Sequence, residues 1–251
     1  MKSHSLFPSR TLSVLLLLIF VAALAHAQFT FQIGAGVGVA IPASDYAGTT
    51  MDFYNGAKYG LGSGLNLQAK TRFGLLGLRL TGEVDYSSFG KSGEAQPGQG
   101  TIDLSQKVVA IKVGPEFYMG VPFAPVTPYI GINVALSRFS GQVQFQGVAK
   151  VPSATYDLAT AVRLGAGFNG GVLVKLGSFT SLDLGVSYDL MNASDKAWED
   201  TNRAQDQRLD SYLALNDNRD PLYRAGDEKH FINNARNINA FQVKATIMVG
   251  L

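Results

Sequence analysis

The chain has 251 residues, 21 Lys or Arg against 19 Asp or Glu, and no cysteine. That balance gives no basic surface for nucleic acid, and the missing thiols exclude a disulfide framework, a thiolate metal site, a cysteine nucleophile and a lipid-modified cysteine. The 28 glycines follow no triplet, and 46% hydrophobic residues is too apolar for a disordered chain, so an all-β domain fits.

Lys2 and Arg10 precede the apolar run Leu12 to Leu24, which ends in Ala25-His26-Ala27. A helix over Thr11 to Ala25 would rise roughly 22 Å, short of a hydrocarbon core of about 30 Å, so residues 1–27 read as a cleavable signal peptide. This segment has two basic residues and no acidic one, so the remainder, 28–251, is formally neutral. The remainder shows no apolar run long enough for a membrane-spanning helix.

From Phe29 on, about eight segments alternate with period two. The first is Phe29 to Ile41, with Phe29, Phe31, Ile33, Val37 and Val39 opposite Thr30, Gln32, Gly34, Gly36 and Gly38. Tyr59 to Lys70 sets Leu61, Leu65 and Leu67 against Gly60, Gly62, Gly64, Asn66 and Gln68. Leu76 to Tyr86 carries Arg79, Thr81, Glu83 and Asp85 on one face, more charge than an ordinary soluble core accepts. Lys107 to Tyr118 places Lys112 and Glu116 opposite Val109, Ile111, Val113 and Phe117. Pro115, which lacks a ladder donor, predicts a bulge or the end of that strand. Tyr129 to Arg138, Tyr156 to Val174, Ser181 to Met191 and Phe241 to Leu251 repeat the pattern, adding Arg163, Asp183, Asp189 and Lys244 to the polar face.

Short links fall near 71–74, 120–128 and 176–180, and long ones near 42–58, 87–106, 139–155 and 192–239. Alternating short and long connections predict a closed antiparallel up-and-down transmembrane β-barrel, with short periplasmic turns and long extracellular loops. Aromatic residues support the geometry: Phe29, Phe31, Phe73, Phe117, Phe123, Tyr129 and Phe179 fall at turn-side ends, and Tyr59, Tyr86, Phe89, Tyr188 and Phe241 at loop-side ends, as interfacial girdles require.

The pattern resembles the small outer-membrane β-barrel family of OmpA, OmpX and OmpW type. Phe241, Val243, Ala245, Ile247, Val249 and Leu251 look like that family's carboxy-terminal signal for the barrel-assembly machinery, although the family typically ends in Phe or Trp. The resemblance implies a bacterial outer-membrane location among outer-membrane lipids. It also implies a salt-bridged lumen, here Arg79, Lys112, Arg163 and Lys244 against Glu83, Asp85, Glu116, Asp183 and Asp189.

The bare glycine walls of the first two strands leave two readings open, a lumen plugged by long side chains and a narrow path for small solutes, as in OmpW-like proteins. A soluble, lipocalin-like barrel would need every strand reversed. Catalysis is not expected. Glu83 and Asp85 stand about 7 Å apart, but alternation puts polar pairs at that spacing on every lumen strand. His230 lies in the longest loop and reads as solvated; the lipid A-modifying and omptin enzymes on related barrels use histidines in their sites. No cofactor or metal is expected either. The Gly-x-Gly-x-Gly runs have no following helix for phosphate, and Asp217-Asn218-Arg219-Asp220 lacks calcium-loop spacing, which leaves it a solvated cluster. In the 192–239 loop, Thr201 to Leu215 predicts a short helix with Leu209, Tyr212 and Leu213 on one side, either as a lid on the barrel mouth or as a surface for an extracellular ligand.

Overall fold

The computed structural model describes residues 30–75, 77–120, 124–201 and 208–250; the signal-peptide segment, Phe29, Phe123 and Leu251 lie outside them. Eight strands close into one antiparallel barrel in chain order, with the last paired to the first. They are β1 (Thr30–Ala43), β2 (Gly62–Leu75), β3 (Leu78–Gln96), β4 (Gln99–Tyr118), β5 (Val126–Gln146), β6 (Ala154–Lys175), β7 (Thr180–Leu190) and β8 (Asn239–Gly250).

The barrel is apolar outside and polar inside over the part nearest the short turns. On β1, Phe31, Ile33, Val37, Val39 and Ile41 are exposed, whereas Asn66, Gln68, Lys70 and Arg72 on β2 are buried. The run Phe31 to Ile41 rises ~33 Å along the strand and stands about 25 Å tall at a tilt near 40°, the height of an apolar membrane belt.

Toward the loop end the polarity inverts without a break in register. On β4 the outward series Phe117, Val113, Ile111, Val109 gives way to Lys107, Ser105, Asp103 and Thr101, while the inward series passes from Glu116 and Lys112 to Val108, Leu104 and Ile102. The physical cause is the change of medium. Above the belt the outside meets water, so the barrel buries an apolar collar of Phe89, Ile102, Leu104, Phe139, Val143 and Phe145.

Several expectations change accordingly. The links at 87–106 and 139–155 are mostly strand: β3 and β4 run to a turn at Pro97-Gly98, and only 147–153 separates β5 from β6. β2 continues through Thr71 and Arg72 to Leu75, where a turn was expected from residue 71. Pro115 sits inside β4 three residues from its end, and the β4–β5 register is the same on either side of it, so no bulge forms there. Bulges occur instead at Gly62/Leu65 and Phe139/Gly141.

The glycine wall of β1 is not open. A Cβ on Gly34 would lie 2.5 Å from Met248 Sδ, one on Gly36 2.4 Å from Thr246 Oγ1, and one on Gly38 3.0 Å from Lys244 Cγ. Side chains of the adjacent β8 therefore occupy the volume that these glycines vacate.

Two short helices dress the loop end. α1 (Thr50–Tyr54) starts in a capping box, with Thr49 and Asp52 each accepting from the other's amide. α2 (Asp210–Leu213) is shorter than the helix expected over 201–215: Arg208 and Leu209 form a turn, Ala214 and Leu215 are not helical, and 202–207 lie outside the described residues. Leu209, Tyr212 and Leu213 are buried together in the collar cluster, so the described parts of the long loop, 191–201 and 208–238, form a lid over the barrel mouth.

Candidate functional site: a charged lumen beneath an apolar lid

The inward faces of β2, β3, β4, β7 and β8 bring nine charged side chains into one buried network. In the layer nearest the turns, Arg72 is fully buried. Its Nε donates to Glu116 Oε2 at 2.8 Å and its Nη2 to Asp183 Oδ2 at 2.7 Å. Lys70 Nζ stands 2.9 Å from Glu116, 3.4 Å from Asp183 and 3.7 Å from Glu83. Tyr118 donates to Glu116 and Tyr129 to Asp183, each at 2.7 Å, and the Arg72 guanidinium lies 4.8 Å from the Tyr129 ring. The next layer joins Lys112 to Asp85 at 2.6 Å and Asp189 at 2.9 Å, and Lys244 to Glu83. Every charge in the two layers has an opposite partner, the condition under which buried ions are tolerated.

Each expected lumen residue has a definite place, and two stand apart from this network. Arg79 is half-buried at the turn end, donates to Gln32 at 2.8 Å and stacks 4.0 Å from the Tyr118 ring, with no ion pair among the described residues. Arg163 reaches up into the lid, where its Nη2 meets Asp217 Oδ1 at 2.8 Å. Glu83 and Asp85 share lysine partners on other strands and face no open cleft. Two further cations belong to the lumen with the inward parity of Asn66 and Gln68: Lys70, the last residue of the expected second segment, and Arg72, which falls in the expected link at 71–74.

The aromatic girdle has fewer members than expected. Phe31, Phe117 and Phe241 are exposed on the outer wall, with Phe241 4.6 Å from the outward, half-buried Tyr188, and Tyr86 is outward and half-buried too. Tyr59 is not part of it: only 5% exposed, it lies under the lid and donates to the Leu215 carbonyl at 2.9 Å. Phe89 and Tyr129 likewise point inward, since each has inward parity on its own strand.

The Asp217–Asp220 cluster is solvated only at Asn218 and Arg219. Asp217 and Asp220 are fully buried; Asp217 accepts from Arg163, from Asn192 at 2.9 Å and from the Ala197 amide at 3.0 Å. His230 is half-buried with its Nδ1 2.7 Å from Asp220. Among the described residues no group of His, Cys, Asp or Glu is arranged to hold a metal.

Burial pushes the Asp217 carboxyl up, but the hydrogen bonds from Arg163, Asn192 and Ala197 outweigh it and hold the group below the ordinary carboxylate value. A carboxyl whose pKa is lowered by the closed lid stabilises closure fully above its free value of about 3.9, and that contribution is lost as pH falls through the lower, closed-state value. The lid is therefore expected to stay shut at neutral pH and loosen in acid. Emission of Trp198, a lid residue and the chain's sole tryptophan, followed from pH 7 to 2, reads this out. Asp217→Asn should flatten the acid transition, and an unchanged transition in that variant would refute the assignment.

Inside the lumen the remaining space is small. One cavity of about 20 Å³ is lined by Lys70, Glu83, Asn133, Asn169 and Asp183, and another of about 10 Å³ by Asp85, Ser137 and Asp189. Each has room for a water or two, not for a continuous aqueous column.

A family model described as outer membrane protein beta-barrel domain matches residues 11–211. Among solved structures, the chain is similar to Neisserial surface protein A at 17% identity, covering 89% of this chain and 97% of that one with a TM-score of 0.45. It is similar to the attachment invasion locus protein Ail of Yersinia pestis, solved with the heparin analogue sucrose octasulfate, at 10% identity, 88% and 99% coverage and a TM-score of 0.41. It is also similar to OprG of Pseudomonas aeruginosa at 13% identity, 90% and 95% coverage and a TM-score of 0.43. No curated protein matches the sequence.

Proposed function

Since the chain belongs to the outer membrane protein β-barrel domain family and so to the bacterial outer membrane, we propose that it is a non-enzymatic surface protein with a sealed lumen. It serves envelope structure or contact with an external partner through its extracellular hairpins and lid. The observation that carries this reading is the two-layer ion-pair network across the lumen, with water-sized cavities beside it among the described residues. With transport through the barrel disfavoured, the outward surfaces are what remain for function. The last strand would serve the barrel-assembly machinery, and the 192–239 loop would meet the extracellular ligand. Export by removal of residues 1–27 belongs to the same proposal, and sequencing the mature protein should find Gln28 first.

Conductance across planar bilayers tests the sealed lumen. The intact protein is expected to insert and remain electrically silent. Lys112→Ala, which deprives Asp85 and Asp189 of their shared cation, should produce flickering currents as water enters. Steady single-channel conductance of the unaltered protein, changed by Arg79→Ala, would overturn the proposal in favour of a small-solute channel.

A further inference from the structure

The outer wall changes character on β4 and β5 at one level. Along the ladder Tyr86 of β3 stands opposite Val109 of β4, Val109 opposite Arg138 of β5, and Arg138 opposite Val162 of β6. All four face outward, and Val109 and Val162 belong to the exposed apolar belt. One outward row further from the turns, Lys107 lies opposite Ser88 and Ser140 and is exposed like Arg138. Lys107 and Arg138 are therefore diagonal neighbours on the same face, about 7–8 Å apart at their bases.

Neither cationic side chain has a hydrogen-bond or ion-pair partner among the described residues. The outward carboxylates of this sector stand further toward the loops: Asp103, opposite Gln144, and Asp157, which accepts from Gln142 at 2.8 Å. Arg138 holds a position that hydrocarbon alone does not tolerate. A guanidinium level with Val109 and Val162 must reach up to the headgroup layer for its counter-charge, and that direction leads toward Lys107. Two unpaired cations thus meet at the upper edge of the belt, where a bilayer presents its phosphates, with Tyr86 at the same level as an interfacial anchor. Below them the exposed Ile111, Leu136 and Leu164 continue the apolar wall.

We propose that Lys107 and Arg138 form a binding site for a phosphorylated glycolipid of the outer leaflet. One phosphate sits between the ammonium and the guanidinium and accepts hydrogen bonds from both, and the acyl chains lie on Ile111, Leu136 and Leu164. The source of the phosphate is the lipid and not the solution. Two exposed cations hold a dissolved anion weakly against water and salt, whereas acyl chains already on the belt keep the phosphate at this level. The site rests on the outer-membrane placement that the family gives, and on neither the sealed lumen nor the lid.

Native mass spectrometry of the full protein released from detergent micelles tests it, with diphosphoryl lipid A as the probe and dephosphorylated lipid A of the same acylation as the control. The unaltered protein should retain a single diphosphoryl lipid A and lose the dephosphorylated lipid. Lys107→Gln combined with Arg138→Gln should weaken retention at least tenfold, while the heat-dependent mobility shift on gels reports an intact barrel. Lys175→Gln, which removes an exposed cation at the turn end of β6, should leave retention unchanged. Inorganic phosphate at millimolar concentration should not displace the lipid. Equal retention of the dephosphorylated lipid, undiminished retention by the double variant, an equal loss in Lys175→Gln, or displacement by inorganic phosphate would each overturn the proposal.

Discussion

Arg72→Met is expected to destabilise the barrel by about 3–5 kcal/mol, the usual cost of removing one partner from a buried ion pair. Methionine fills much of the volume, so the loss is electrostatic: Glu116 and Asp183, 1% and 2% exposed, would each lose a charged donor. Tyr118, Tyr129 and Lys70 would still hold the two carboxylates, which keeps the penalty from growing further. Urea unfolding of the protein in lipid vesicles measures the difference through the transition midpoint. Arg79→Met is the control. That arginine is half-buried and contributes one hydrogen bond and one ring contact, so its loss should cost only about 1 kcal/mol. Equal midpoints for Arg72→Met and the unaltered protein would mean that the ion pairs do not hold the barrel together.

The second large effect is expected at the lid. Tyr212 packs against Phe53, Phe145 and Phe231 at centroid distances of 5.0, 5.3 and 5.4 Å and donates to the Tyr54 carbonyl at 2.6 Å. Truncating a buried aromatic of this kind costs about 3–5 kcal/mol. In Tyr212→Ala that loss falls on lid docking, because the strands do not need the tyrosine for their ladders. Brief trypsin treatment should then cut within 191–238 while the barrel keeps its heat-dependent mobility shift on gels. Deleting Ala193 to Arg236 should likewise leave an assembled barrel and abolish partner binding. Undiminished binding after that deletion would remove the lid from the proposed function, and full protease resistance of Tyr212→Ala would show that docking does not depend on this contact.

The barrel was legible because its cause is local. Period-two alternation assigns each residue to a face whatever its partner, and Ile111 outward and Lys112 inward follow from parity alone. Lys70 and Arg72 obey the same parity, but the expected segment ends at Lys70 and leaves Arg72 in the link at 71–74, whereas β2 runs on to Leu75. The long hairpins were lost for a different reason. At Val109 and Lys107 the alternation keeps its register while the media trade places, and a reading keyed to apolar-outward strands stops where that exchange occurs.

What the sequence by itself determined is the inventory of faces: an apolar belt, a polar interior with nearly balanced charge, and one oversized loop between β7 and β8. Tertiary structure alone decided the pairings. Arg72 meets Asp183 and Lys244 meets Glu83 across 111 and 161 residues, separations set by barrel closure and stagger that no local pattern encodes. The same holds for Arg163 with Asp217 and for Arg236 with the Asn216 carbonyl. A charge in a long loop looks solvated until the loop folds back over an apolar collar, where desolvation makes every remaining partner, or its absence, count.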